Sequence, residues 1–181
     1  MLEHILYELA ALFDEHDILY GVGGSFMIDK LHFDLKVNDL DIFISLNDLD
    51  KVAKIMAKYQ KLDTKDNPSI KSGYFAKYMI KGVGVDIIAD MHVNYKDVWY
   101  NYDLTNHDQV HDHNGISYMF LQDWFYLYWI MKRHEKVKMI IGHWQNTNYP
   151  DIDRWQYLLN LSLPSDLKIT INDLIKYRLY K

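Results

Sequence analysis

Val22-Gly23-Gly24-Ser25, then thirteen residues, then Asp39-Leu40-Asp41-Ile42, and further on Val85-Asp86-Ile87: these stretches decide how the chain is read. Ile18-Leu19-Tyr20-Gly21-Val22 is a short apolar run ending in glycines, which predicts a buried strand. A pair of glycines lets the backbone bend tightly and come close to a ligand. A short helix over 25–32 opens directly after Gly23-Gly24, so its free N–H groups and positive dipole end favour a phosphate there, and the Ser25 hydroxyl adds a donor. Taken alone, Gly-Gly-Ser before a helix is more often a turn and a cap.

The second stretch predicts a strand over 39–45, in which Leu40, Ile42 and Ile44 alternate with Asp39, Asp41 and Phe43. Residues at i and i+2 of a strand project from one face, so Asp39 and Asp41 stand side by side. Two neighbouring carboxylates repel unless a cation sits between them. Mg²⁺ is the hard cation that takes oxygen ligands and brings substrate phosphates with it. Two solvated acids on an edge strand are the plainer reading, but Leu40, Ile42, Phe43 and Ile44 are too apolar for an exposed edge. Val85-Asp86-Ile87-Ile88 places a third acid inside an apolar strand. A lone buried carboxylate is costly and needs a metal or a partner; a lysine such as Lys77 or Lys81 would serve. Asp90 shares the face of Asp86 at the strand end and ranks as a supporting residue.

At 181 residues the chain is one domain, or one with a modest extension, and it can bury a real core. Hydrophobic residues make up 49%, which argues against disorder. Aromatics reach 15% and read first as core, with base stacking a lesser prospect. The formal net charge is −5 and the basic residues are scattered, so an extended nucleic-acid surface is not expected. With no cysteine, disulfides and thiolate metal sites are excluded and a reducing compartment fits. No stretch approaches the length of an apolar membrane span, and Met1-Leu2-Glu3-His4 does not open a signal peptide, so a cytoplasmic protein is expected.

Leu2, Ile5, Leu6, Leu9 and Phe13 predict an amphipathic helix over 2–15. Asn47 or Asp48 can cap a helix whose buried face carries Val52, Ile55, Met56 and Tyr59. Residues 61–72 read as a loop, and 74–80 with 83–89 as a hairpin across Lys81-Gly82. Residues 91–114 have no clean period, and 115–120 read as one more strand. A helix from Leu121 ends near Lys132-Arg133, and two more are expected around 153–161 and 172–180, separated by Pro164. The fold class is α/β (α+β): a small mixed sheet flanked by helices over 1–90, then a mainly helical half over 91–181 that closes the site. Lys132 suits either a phosphate contact or the end of a helix dipole. His92, His107, His111 and His113 invite a metal, but His-x-His in a polar loop is usually solvated.

Taken together, Val22-Gly23-Gly24-Ser25, Asp39-Leu40-Asp41-Ile42 and Val85-Asp86-Ile87 resemble the nucleotidyltransferase superfamily related to DNA polymerase beta, over residues 18–90. The short length and the Gly-Gly motif are most similar to small members such as the lincosamide-type antibiotic-modifying enzymes and the nucleotidyltransferases of toxin–antitoxin pairs. The resemblance implies a nucleotidyltransferase fold and two Mg²⁺ ions ligated by Asp39 and Asp41. Asp86 would share one ion and help deprotonate an acceptor hydroxyl. Gly23, Gly24 and Ser25 would hold the β- and γ-phosphates of an NTP such as ATP, and pyrophosphate would leave. One departure stands out: relatives often carry an arginine shortly before the Asp-x-Asp, where this chain has only Lys36.

The expected activity is transfer of an NMP to a hydroxyl of a small molecule or a protein side chain. The alternative is an antitoxin-like regulatory protein that acts by binding a protein partner. A nucleotide-binding protein without activity is disfavoured, because binding alone does not need all three acids.

Overall fold

The structure, a computed structural model, describes residues 1–31, 33, 35–105, 110–146 and 152–179. The chain divides into two compact units: Met1–Val93 with Asn101–Met119, and Asn94–Tyr100 with Phe120–Lys181.

In the first unit, α1 (Leu2–Glu15) buries Ile5, Leu6, Leu9, Ala10 and Phe13, the helical stripe expected from the sequence. It stops in a Schellman turn: Asp17 takes a φ of 50°, and the N–H of Ile18 bonds the carbonyl of Phe13 at 2.9 Å. The chain then enters β1 (Tyr20–Gly23), passes directly into the six-residue α2 (Gly24–Asp29), and returns as β2 (Asp39–Ile44). Ser45 Oγ accepts from the N–H of Asn47 and caps a short 3₁₀ turn. Neither Asn47 nor Asp48 caps α3 (Leu49–Met56) through its side chain; the Asp48 carboxylate instead accepts from the N–H of Leu19.

The remaining strands are β3 (Gln60–Leu62), β4 (Ile70–Ile80), β5 (Val83–Tyr95), β6 (Val98–Tyr102), β7 (Val110–His113) and β8 (Ile116–Met119). They form a mixed sheet in the order β3-β4-β5-β2-β1-β8-β7, with β6 paired to β5. β1 runs antiparallel to β2 and parallel to β8, β2 runs parallel to β5, and β5 runs antiparallel to β4. The acid-bearing strands are therefore central, as the apolar flanks of Asp39 and Asp41 require. One sheet face joins α1 and α3 in a core that contains Val22, Leu40, Ile42, Ile44, Val85 and Ile87.

Three sequence expectations change. The loop over 61–72 holds the end of β3 and the start of β4. The stretch without a clean period contains the end of β5, all of β6 and β7, and buried Met91, Val93 and Tyr95 at a spacing of two. His111 and His113 thus lie on a strand rather than in a polar loop.

The second unit carries α4 (Leu121–Ile130), α5 (His134–Asn146), α6 (Ile152–Leu159) and α7 (Ser165–Leu179). α5 was not expected, although its buried Val137, Ile140 and Trp144 recur at helical spacing. α7 begins directly after Pro164, seven residues earlier than the sequence suggested. Phe125, Trp144 and Trp155 pack at centroid separations of 4.9 to 5.3 Å, so these aromatics are core. Among the described residues no helix is long and apolar enough to cross a membrane.

Candidate active site

Strand alternation sets the acids apart from the core. Leu40, Ile42, Val85 and Ile87 enter the packed face, so Asp39, Asp41 and Asp86 project from the other. Parallel pairing of β2 with β5 puts Asp41 directly beside Asp86, and Asp39 beside Gly84. Antiparallel pairing of β1 with β2 puts Gly23 beside Asp41. The glycine turn and all three acids thus meet on neighbouring strands.

The acids are tied together by Lys77, which stands opposite Asp86 on β4. Its ammonium donates to Asp39 Oδ2 at 3.1 Å and to Asp86 Oδ2 at 3.3 Å. Buried Asp86 Oδ1 lies 3.1 Å from the same ammonium as an ion-pair contact and has no other donor. Of the two lysines named from the sequence, Lys77 is the partner, whereas Lys81 pairs with Glu8 at 2.7 Å. Burial pushes the Asp86 carboxyl above its ordinary range even though the ammonium pulls it down. Burial also pulls Lys77 down, but its bonds to Asp86 and Asp39 outweigh this and raise it.

Gly24 has a φ of +65°, a conformation that glycine adopts without penalty. A Cβ there would lie 2.7 Å from Asp41 Cγ, overlapping the carboxylate. The second glycine therefore gives Asp41 its seat, a role beyond the tight turn and the phosphate approach that the sequence suggests. Ser25 follows in the first turn of α2 and is half-buried. Gly84, which the sequence reading passed over, opens the lane between Lys77 and Asp39: a Cβ there would lie 3.4 Å from Lys77 Cε and 3.3 Å from Asp39 Cβ.

Lys132 belongs to the second unit, where its φ of 58° closes α4 and its ammonium lies 5.7 Å from the Tyr95 ring. Asp90 pairs with His92 at 2.9 Å. His113 is exposed, and His107 and the His111 side chain lie outside the described residues. Asp103, which the sequence did not flag, has a buried Oδ1 that accepts no hydrogen bond; burial and the nearby Asp90 raise its carboxyl.

The donors suit a hard divalent cation: carboxylate oxygens only, one of them buried and without a hydrogen bond, with a positive charge already held between Asp39 and Asp86. Among the described residues no group of three acids or histidines is arranged as a finished ligand set. Lys77 spans two of the acids, and the third rests against Gly24.

No family model matches the chain, and no curated protein matches it in sequence. Among solved structures it is similar to a candidate nucleotidyltransferase from Thermotoga maritima, with a TM-score of 0.57 and 20% identity over 79% of this chain and 91% of that one. It is also similar to ANT(2″)-Ia, solved with adenylyl-2″-tobramycin, at a TM-score of 0.50 and 14% identity over 77% of this chain and 87% of that one. The lincosamide antibiotic adenylyltransferase LnuA gives a TM-score of 0.47 and 17% identity over 75% of this chain and 93% of that one. The chain has the nucleotidyltransferase fold.

Proposed function

We propose that the protein is a magnesium-dependent nucleotidyltransferase. It moves an NMP from an NTP, ATP being the first candidate, to a hydroxyl of a small molecule or a protein, and releases pyrophosphate. The observation that carries this reading is the parallel register of Asp41 with Asp86, with Asp39 two residues away and Lys77 bridging Asp39 to Asp86. The fold neighbours support the class, and ANT(2″)-Ia was solved with an adenylyl group on a small molecule.

Asp39, Asp41 and Asp86 are the residues suited to hold two Mg²⁺ ions, which when bound would neutralise phosphate charge and stabilise both the attacking and the leaving oxygen. The chain's own contribution is positioning. Gly23 and Gly24 hold the turn against Asp41, and the backbone N–H groups that follow, with Ser25 Oγ, are assigned to the β- and γ-phosphates. Asp86 Oδ1 has no donor besides the Lys77 ammonium, and burial raises the proton affinity of the carboxyl, so it is the atom suited to take the acceptor's hydroxyl proton once that ammonium is drawn off. A reaction that consumes NTP fits the cytoplasm.

Thermal unfolding with each NTP, with and without Mg²⁺, tests this reading. A true substrate raises the unfolding temperature with Mg²⁺ present, because it binds only the folded protein. If no NTP shifts unfolding under either condition, the assignment fails.

A further inference from the structure

We propose that Lys77 is a displaceable internal counter-ion: its ammonium occupies, between Asp39 and Asp86, the place that a divalent cation must take, and loading the cation requires Lys77 to withdraw. This inference rests on the metal-dependent reading above.

The reach of Lys77 is the first argument. Lys77 stands on β4 and Asp39 on β2, with β5 between them. Neighbouring strands lie about 4.8 Å apart, so the side chain must lie flat across a whole strand to reach its second partner. It crosses at Gly84, where even a Cβ would approach both Lys77 Cε and Asp39 Cβ to within 3.4 Å. Any longer side chain would stand in the lane. An ordinary salt bridge needs none of this, because Asp86 is already opposite Lys77.

Charge is the second argument. Asp39 Oδ2 and both oxygens of Asp86 crowd one ammonium, Asp39 Oδ2 at 3.1 Å, Asp86 Oδ2 at 3.3 Å and Asp86 Oδ1 at 3.1 Å, and buried Asp86 Oδ1 has no hydrogen-bond donor of its own. A monovalent group relieves only part of the repulsion between the carboxylates. A divalent ion relieves more, and it repels the ammonium from the same spot. The Lys77 side chain is about one-third exposed, so it has a way out to solvent. An arriving triphosphate supplies new oxygens for the freed ammonium. Metal should accordingly bind weakly alone and more tightly with NTP.

Mn²⁺ titration followed by the electron-spin signal of the free ion, with Mn²⁺ standing in for Mg²⁺, tests the exchange on the full chain. Wild type, Lys77→Met and Lys77→Arg are compared without nucleotide, wild type is also titrated with ATP against an ATP-only control, and thermal unfolding of each is measured in EDTA. Lys77→Met should bind Mn²⁺ about tenfold more tightly than wild type, since a competing charge beside the acids is gone. It should also unfold at a lower temperature in EDTA, and added Mn²⁺ should restore it. Lys77→Arg keeps the charge and should stay near wild type in both measurements. Equal or weaker Mn²⁺ binding by folded Lys77→Met overturns the proposal. If that variant does not fold, Lys77→Gln removes the charge and keeps a polar side chain: tighter Mn²⁺ binding supports the exchange, and equal or weaker binding overturns it. If wild type binds Mn²⁺ with ATP but Lys77→Met shows no gain, only the exchange is lost. If wild type binds no Mn²⁺ even with ATP, the metal-dependent reading falls as well.

Discussion

Asp86 in the first unit and Asp123 in the second are both carboxylates withdrawn from water, and their surroundings treat them in opposite ways. Asp123, with its side chain 0% exposed, receives two parallel bonds from Arg154: Nε to Oδ1 at 2.8 Å and Nη2 to Oδ2 at 2.7 Å. The guanidinium lies against the rings of Phe120 and Tyr157, 4.8 and 4.2 Å from their centroids. Each oxygen of Asp123 has a donor, and the donor is held in place by packing. Asp86 shares one flexible lysine with Asp39, and its Oδ1 has only that lysine's ammonium, at 3.1 Å, as a partner. A saturated pair is suited to fix helices against one another. Two carboxylates that share one flexible cation are suited to exchange it for a ligand.

The largest effect that could break this contrast is loss of activity without loss of fold. Asp41→Asn keeps the shape of the side chain and removes its charge. Transfer should fall by about a thousandfold or more. Unfolding in EDTA should stay level or shift slightly upward, because one of several clustered like charges is gone. A matching loss of stability would make Asp41 a structural residue. Arg154→Met should do the reverse: it strands Asp123 in the core and should destabilise the protein by roughly 3–5 kcal/mol in urea unfolding. The double variant Asp123→Leu/Arg154→Met should recover most of that loss, since a well-packed apolar pair of similar volume replaces a buried ion pair at little net cost. No recovery would mean that the pair does more than satisfy its own charges.

Much of the first unit was legible because its signals are local. The stripe Ile5, Leu6, Leu9, Phe13 and the alternation around Asp39 and Asp41 repeat at the periods of helix and strand, and the structure follows both. The Asp123–Arg154 pair was not legible, because its members lie 31 residues apart on two helices and no local pattern joins them. Lys77 could be named as a partner because the hairpin sets it opposite Asp86. That it also reaches Asp39 depends on strand order, which a hairpin pattern does not contain. Gly84 and the seat that Gly24 gives Asp41 depend likewise on which side chain comes to rest beside a missing Cβ. In residues 91–95, polar His92 and Asn94 hid a strand whose alternate members are buried.

A smaller effect sharpens the role of the glycine turn. Gly24→Ala should cost about 1–2 kcal/mol through its positive φ and should also push the Asp41 carboxylate aside. NTP affinity should fall by more than about tenfold, whereas Ser25→Ala, which gives up one hydrogen bond of about 1 kcal/mol, should cost less. Calorimetry with a non-hydrolysable NTP compares the two. Mn²⁺ binding without nucleotide then separates the two roles of Gly24: it should weaken in Gly24→Ala if Gly24 seats Asp41, and stay unchanged if the glycine only makes room for phosphate.

The smallest effect is a pH dependence, and it tests whether burial or Lys77 governs Asp86. Burial holds the Asp86 carboxyl above its ordinary value in the folded protein. Between that value and the raised folded one, the native protein binds the proton more tightly than the unfolded chain does. Stability from this group is therefore highest at low pH and declines as pH rises through the window. Asp86→Asn cannot titrate and should not show that decline. Urea midpoints in EDTA at pH 4 and pH 7 should then show the variant gaining on wild type as pH rises. Had the ammonium of Lys77 outweighed burial, the folded value would lie below the ordinary one and the variant would lose ground instead. A relative gain by Asp86→Asn at pH 7 marks Asp86 as a carboxylate kept charged at a cost; a relative loss would make it another saturated pair, like Asp123 with Arg154.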